Sequence, residues 1–360
     1  MLKFIYLFIT TLLGMNFILV VGFVYERKYT SIIMKVKLEQ LKQLTKKALL
    51  RYGYSDEEAI IIEEVLLYAQ LRGNNQGVVK LTGKGIPKRD NAKKPEVVKE
   101  TPVSALYDGN KTHAMLVLNK VTETAIEKAK RSGVGIVGNF NSSESTGALG
   151  YYVNKIAKEG LIGIAFASAP FQTTAPFGST EALFCTNPMA YGIPTEGDPI
   201  ILDMSTSAMA YYGLIEAKMA GKMVSLDIGY DKDGNPTKDP AEIMSGALKT
   251  FGGHKGSGLA LIVQIFAGAL VQADSFKTGS DNAGNLIMAI DPEILTSREV
   301  FIKEVSSIIK RVKSARKLPG VSEIMIPGES SNQFNKSVLD SGEIEIEDNL
   351  YNELTKVTTS

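Results

Sequence analysis

The chain has 360 residues, 44% of them hydrophobic, and its 40 Lys and Arg nearly balance 39 Asp and Glu for a formal net charge of +1. This supports a sizeable core in one large or two modest domains, and without a basic patch or acidic tail nucleic acid is not an expected partner. The single Cys185 excludes an internal disulfide and a cysteine zinc cluster and fits a reducing compartment, and with only His113 and His254 no multi-histidine metal site is expected.

Residues 4–24 form an uncharged apolar run, long enough to cross a bilayer as a helix. Lys3 precedes it and Glu26-Arg27-Lys28 follow; Val20-Val21-Gly22-Phe23-Val24 makes a poor signal-peptidase site. The basic residues after the run favour a cytoplasmic body. Two readings stand: a single-helix membrane anchor, or translation that starts at Met34.

Downstream, Leu38, Leu41, Leu44 and Ala48 recur at helical spacing. A second helix is marked by a capping box of Ser55 and Glu58, by the apolar face of Ile62, Val65, Leu66 and Ala69, and by Gly73 at its end. Residues 82–102, with Gly83, Gly85, Pro87, Pro95 and Pro102 around a lysine-rich patch, read as loop. Residues 104–107 and 115–118, flanking Asp108-Gly109-Asn110, read as strand, turn and strand, which puts His113 on a surface hairpin. A helix over about 119–132 stops at Gly133; a strand at 134–137, a helix over about 147–159 and a strand at 162–167 follow. That alternation argues an α/β fold. Residues 173–203 carry short apolar runs between Pro and Gly. Residues 258–273 are almost wholly apolar and predict a helix buried on all sides. A strand at 286–290 precedes a long amphipathic helix marked by Phe301, Val305, Ile308 and Val312.

Two motifs fail on context. Gly133-Val-Gly135-Ile-Val-Gly138 spells a dinucleotide fingerprint, but that fingerprint needs a strand before it and a helix opening within it. Here a helix precedes and a strand runs through. Asp231 to Glu242 spaces its oxygen ligands like a calcium loop, yet Pro236 occupies the position where the sharp turn needs glycine. A polar turn leading to a helix capped near Asp239 is the better account.

What survives is a glycine-lysine turn, Gly253-His-Lys255-Gly256, opening the apolar helix. A helix N-terminus with a nearby lysine suits a phosphate, although for the segment alone a glycine-rich turn with an exposed lysine is the better account. It does not stand alone. Arg72-Gly73 and Gly77, Thr146-Gly147-Ala148-Leu-Gly150-Tyr151-Tyr152, Gly160-Leu-Ile-Gly163, Pro176-Phe-Gly178 and Thr186-Asn187-Pro188 precede it in order. Leu202-Asp203-Met204-Ser-Thr-Ser207, Gly284-Asn285, Asp291-Pro292 and Pro327-Gly328-Glu329 complete the set. Over residues 35–347 the chain resembles the malate/L-lactate dehydrogenase type 2 family, whose relatives include ureidoglycolate and sulfolactate dehydrogenases, diketogulonate reductase and piperideine/pyrroline-2-carboxylate reductases.

The resemblance implies a family-specific, non-Rossmann NAD(P)-binding fold with a helical N-terminal part, usually a homodimer with its active site near the subunit interface. It implies oxidoreduction of a small 2-hydroxy or 2-keto acid, or of a cyclic imino acid, with NAD or NADP. On that frame residues 1–33 precede a helical part at 34–102, a catalytic domain at 103–330 and a C-terminal segment at 331–360. Carried over residue by residue, the cofactor is expected against Ser168, Asp203, Met204, Ser205, Lys255, Gly256, Gly328, Glu329 and Ser330. Arg72 or Lys80 is expected to hold the substrate carboxylate. Relatives carry a histidine in a Ser-His-Gly after the second helix and another just before the Gly-x-x-Gly-Tyr-Tyr segment. Here Gln76 and Ser145 stand at those places. Carbonyl reduction needs a proton at the developing alkoxide. Gln76 can only orient, Ser145 can only relay, and Lys255, Asp203 or a water are left as acids. A cyclic imine arriving protonated lessens that need. The alternative is a catalytically weak, membrane-anchored dinucleotide-binding relative.

Overall fold

The computed structural model describes residues 33–359 apart from 75, 144, 275 and 277–280, so the apolar run at 4–24 lies outside the described residues. The chain opens with β1 (Ile33–Lys37) and α1 (Leu38–Arg51), where Leu38, Leu41 and Ala48 are buried as their spacing requires. Ser55 and Glu58 cap α2 (Asp56–Gln70) reciprocally, and Ile62, Val65, Leu66 and Ala69 face the core. Gly73, at φ +67, then turns the chain toward a short 3-10 turn, Val78–Leu81.

Three expectations need correction at this end. The segment read as loop contains β2 (Glu96–Glu100), fully exposed and paired only with β3 (Ser104–Asp108) at the sheet edge. An edge strand without a buried face leaves no apolar alternation to read. The expected second hairpin strand is instead the first turn of α3 (Ala114–Ser132), in which Met115 and Leu118 continue the stripe of Val121, Ala125 and Ala129. A four-residue apolar run does not distinguish the two. His113 is therefore not a surface residue. It is 3% exposed, caps α3 by accepting the Met115 N–H at Nδ1 (3.2 Å), and is pushed down to about 3 by burial.

β4 (Val134–Ser142), α4 (Leu149–Lys158), β5 (Ile162–Ser168), β6 (Met189–Ile193) and β7 (Ile200–Met204) follow. A small excursion comes next: α5 (Tyr211–Met219), β8 (Gly229–Tyr230), β9 (Pro236–Thr237), α6 (Pro240–Ser245) and β10 (Ala247–Leu248). In its hairpin Asp231 Oδ1 accepts the N–H groups of Asp233 and Asn235, and Asp239 caps α6. The calcium-like spacing is thus a polar turn leading into a capped helix. α7 (His254–Ala267), β11 (Ala283–Ile290), α8 (Arg298–Lys313), α9 (Glu329–Ser341), β12 (Glu343–Glu347) and α10 (Asp348–Thr359) complete the chain. β12 pairs antiparallel with β1, and α10 packs on α1, so the two ends of the described chain close on each other.

The central sheet has the order β2-β3-β4-β11-β5-β6-β7. Only β3 and β4 run parallel; every other neighbouring pair is antiparallel. This explains the failed fingerprint. Gly133 closes α3 in the left-handed region (φ +81). A Cβ on Gly135 would lie 2.1 Å from the Ala125 carbonyl oxygen, and one on Gly138 2.5 Å from Val271 Cγ1. These glycines let α3 and the segment after α7 sit against β4.

The apolar helix is corrected too. α7 buries Ala260, Val263, Gln264 and Ala267 against the sheet but exposes Leu259, Leu261, Ile262, Ile265 and Phe266. A helix apolar all round carries no moment that tells a buried face from an exposed one. Among the described residues, His254–Val271 is the one run long and apolar enough for a membrane span, by length and composition only.

Candidate active site

Antiparallel pairing through β6 brings the C-terminal ends of β5 and β7 to one side of the sheet, and the start of β11 joins them, with Gly284 opposite Ser168. There a cavity of about 750 Å³ opens, within the usual range for small-molecule sites. The turn after α2, the segment leading into α4, the start of α5 and Ser331 of α9 form its other walls.

Seven of the residues singled out in the sequence meet on this wall: Arg72, Gln76, Ser145, Ser168, Asp203, Met204 and Ser205. Arg72 stacks on Tyr68, its guanidinium carbon 3.8 Å from the ring centroid, and its buried Nε has no hydrogen-bond partner. Burial lowers its pKa, but guanidinium stays charged, so the cavity holds a cation with an unused donor. Asp203 lies on β7, and its Oδ2 accepts the Gly150 N–H in the first turn of α4 at 2.7 Å. Desolvation pushes its carboxyl up to about 6 against the pull of that bond. A helix start favours the anion, burial favours the acid, and burial wins.

Other residues stand off the wall. Lys80, on the Val78–Leu81 turn, is 2% exposed and does not line the cavity; its Nζ donates to Ser145 Oγ at 2.7 Å. Lys255 is exposed in the first turn of α7. Gly256 beside it is buried where a Cβ would lie 2.1 Å from the Phe251 carbonyl oxygen. This turn is tied to the end of β7 by the Phe251 N–H donating to Thr206 O (3.0 Å). Gly328, at φ +93, lies against Ile201 of β7, and Glu329 is engaged by Lys313 and the Ile326 N–H. Ser330 is not on the wall, whereas Ser331 is.

Sequence reading missed several lining residues. Tyr211 and Tyr212 open α5, a helix without a legible apolar stripe. Asn285 was visible only as part of a Gly-Asn pair, and here its Oδ1 is buried without a partner, as is Ser168 Oγ on the neighbouring strand. Arg89 and Asp281 form an ion pair at the cavity from segments that carry no motif.

The whole of this frame has counterparts among known proteins. Residues 36–355 match the family model for malate/L-lactate dehydrogenase. The chain belongs to this family. It is 34% identical over 337 residues to the malate/(S)-sulfolactate dehydrogenase of Methanothermus fervidus, covering 90% of this chain and 97% of that one. It is 31% identical over 334 residues to the ureidoglycolate dehydrogenase (NAD(+)) of Escherichia coli O157:H7, covering 88% and 94%. Among solved structures, the delta1-piperideine-2-carboxylate reductase of Pseudomonas syringae pvar. tomato superposes with a TM-score of 0.77 at 26% identity, covering 90% and 99%. Members of the malate/L-lactate dehydrogenase family are dehydrogenases and reductases of small hydroxy acids or cyclic imino acids, and oxidoreductase is the class of this chain.

Proposed function

We propose that the chain is an NAD(P)-dependent oxidoreductase that interconverts a small 2-hydroxy and 2-keto acid or reduces a cyclic imino acid, on a fold particular to this family rather than a Rossmann domain. One observation carries the reading: Arg72, with its unused buried donor, shares a single cavity with the half-buried, desolvated carboxyl of Asp203. A substrate carboxylate satisfies Arg72 by charge-assisted hydrogen bonds. Gln76 donates from its amide to the substrate oxygen and fixes its orientation.

The residues present suit a nicotinamide. Asn285 Oδ1 is buried on the wall without a partner, and a carboxamide N–H offers the donor it lacks; Ser168 Oγ, also unpartnered there, is a further hydroxyl for the same cofactor. When bound, the nicotinamide supplies or accepts the hydride. Met204 and Ser205 extend this wall. Gly328, Glu329 and Ser330 beside β7, and the Lys255-Gly256 turn tied to it, are the groups we assign to the rest of the dinucleotide.

The exposed apolar face of α7 supports a homodimer, since a contiguous patch of this kind seeks a partner surface. We read 34–102 and 331–360 as elements flanking the catalytic domain at 103–330. We place the body in the cytoplasm, either free or held by the segment at 4–24.

Protein beginning at Met34, mixed with reduced nicotinamide cofactor and a panel of 2-keto acids and cyclic imines, is expected to consume cofactor absorbance. Cofactor binding without turnover of any of them favours a second reading, a dinucleotide-binding relative lacking activity. That reading rests on Gln76 and Ser145, which occupy the cavity wall and are not themselves acids.

A further inference from the structure

The Ser145 hydroxyl on the cavity wall leads directly to a buried cation. Lys80 Nζ donates to Ser145 Oγ at 2.7 Å from behind the wall. Tyr212 covers its other side, its ring centroid 3.4 Å from Nζ. Lys80 forms no ion pair among the described residues: Glu216, farther along α5 from Tyr212, acts on it only through space, and the neighbouring imidazole of His113 is kept neutral by burial. Its hydrogen bond to Ser145 Oγ links the ammonium to the cavity wall. Burial also brings its pKa well below that of a free lysine, which makes the neutral amine attainable during turnover.

We propose that Ser145 and Lys80 form the proton relay that stands in for the missing histidines. Ser145 is the catalytic residue touching the substrate oxygen, and Lys80 is the positioning residue and proton store behind it. The inference rests on the oxidoreductase reading above and names the acid that reading lacks. In reduction, hydride adds to the carbonyl carbon and the C=O π pair moves onto oxygen. That oxygen takes the Ser145 hydroxyl proton, and Ser145 Oγ takes a proton from the Lys80 ammonium. Lys80 is left as a neutral amine and regains its proton from cavity water back through the Ser145 hydroxyl once product has left. Oxidation of the hydroxy acid runs the same path backward. A cyclic imine whose nitrogen arrives protonated needs no proton from the relay.

The test compares wild type, Ser145→Ala, Lys80→Met, Lys80→Arg and the Ser145→Ala/Lys80→Met double variant, each checked for unchanged binding of reduced nicotinamide cofactor. For 2-keto acids, kcat is expected to fall about 100-fold in every variant, the scale of general-acid catalysis. KM stays near wild type, and the double variant is no worse than the worse single because one pathway is broken once. Lys80→Arg keeps the charge but not the titratable proton, so it does not rescue. Reduction of a protonated cyclic imine stays within about threefold of wild type in all of them, as an arm that bypasses the acid. Ser145→Ala removes one half-buried hydroxyl and serves if Lys80→Met fails to bind cofactor. Rescue by Lys80→Arg overturns the relay. So does a Lys80→Met that raises KM with kcat intact, which would make the lysine a carboxylate holder. So does a wild type that reduces imines alone. A wild type that turns over no substrate at all refutes the oxidoreductase reading, whereas an active wild type matched by an equally active Lys80→Met refutes the relay only.

Discussion

Asp203→Asn should stabilise the protein at neutral pH, and the size of the effect follows from where the carboxylate sits. Its carboxyl is pushed up to about 6 by burial, against about 3.9 in an unfolded chain. A raised acid pKa means that the folded state binds the proton more tightly than the unfolded state. Stability therefore falls as pH rises from the unfolded value through 6, and the whole penalty is present above about 7. Two pKa units at 1.36 kcal/mol each set an upper bound of about 3 kcal/mol. Asparagine carries no charge to desolvate, and its amide oxygen still accepts the Gly150 N–H that Asp203 accepts at 2.7 Å. Thermal unfolding followed by far-ultraviolet circular dichroism from pH 4 to 8 reads the difference. The variant and wild type should unfold together near pH 4 and diverge through pH 6, with the variant higher by several degrees at pH 7.5. A difference that does not change with pH, or a variant less stable at pH 7.5, refutes the reasoning.

Three further outcomes are expected. Arg72→Met should raise KM for a 2-keto acid about 30-fold, the weight of a charge-assisted bond of ~2 kcal/mol, with a smaller change in kcat; an unchanged KM in initial-rate assays removes Arg72 from the substrate. Gly135→Ala drives a Cβ to 2.1 Å from the Ala125 carbonyl oxygen and should cost about 3 kcal/mol through displacement of α3. A urea midpoint equal to wild type would show that the helix yields freely. The homodimer proposed on the exposed apolar face of α7 predicts that wild type sediments as a dimer and Ile262→Glu as a monomer in sedimentation velocity; a monomeric wild type, or a variant that stays dimeric, refutes that interface.

The elements legible in the sequence are those whose burial has a period. α2 reads correctly from its cap to its last apolar residue because its reciprocal cap and apolar face are local. β2 does not, since a strand with all five residues exposed has no alternation. The start of α3 is lost for a different reason: the Asp108-Gly109-Asn110 turn is real, but it leads into a helix. The failed fingerprint shows that a glycine pattern reports close backbone approach without saying what approaches. At Gly135 the neighbour is a helix carbonyl rather than a phosphate.

The site follows a harder rule, because its chemistry lies in pairs the chain holds far apart. Gly150 and Asp203 are separated by 53 positions, and Lys80 and Ser145 by 65. Gly284 and Asn285 come to lie opposite Ser168 and Ala167 only because β11 inserts between β4 and β5. No local spacing encodes such meetings, so family motifs could mark individual residues but not what each one touches. Lys255 shows the cost. Its turn has every local mark of a phosphate site, yet the lysine is exposed and off the cavity wall. Lys80 has no local mark, yet it is the buried cation hydrogen-bonded to a wall hydroxyl. For proton transfer the contact decides: a desolvated ammonium hydrogen-bonded to a serine on the wall can give its proton up.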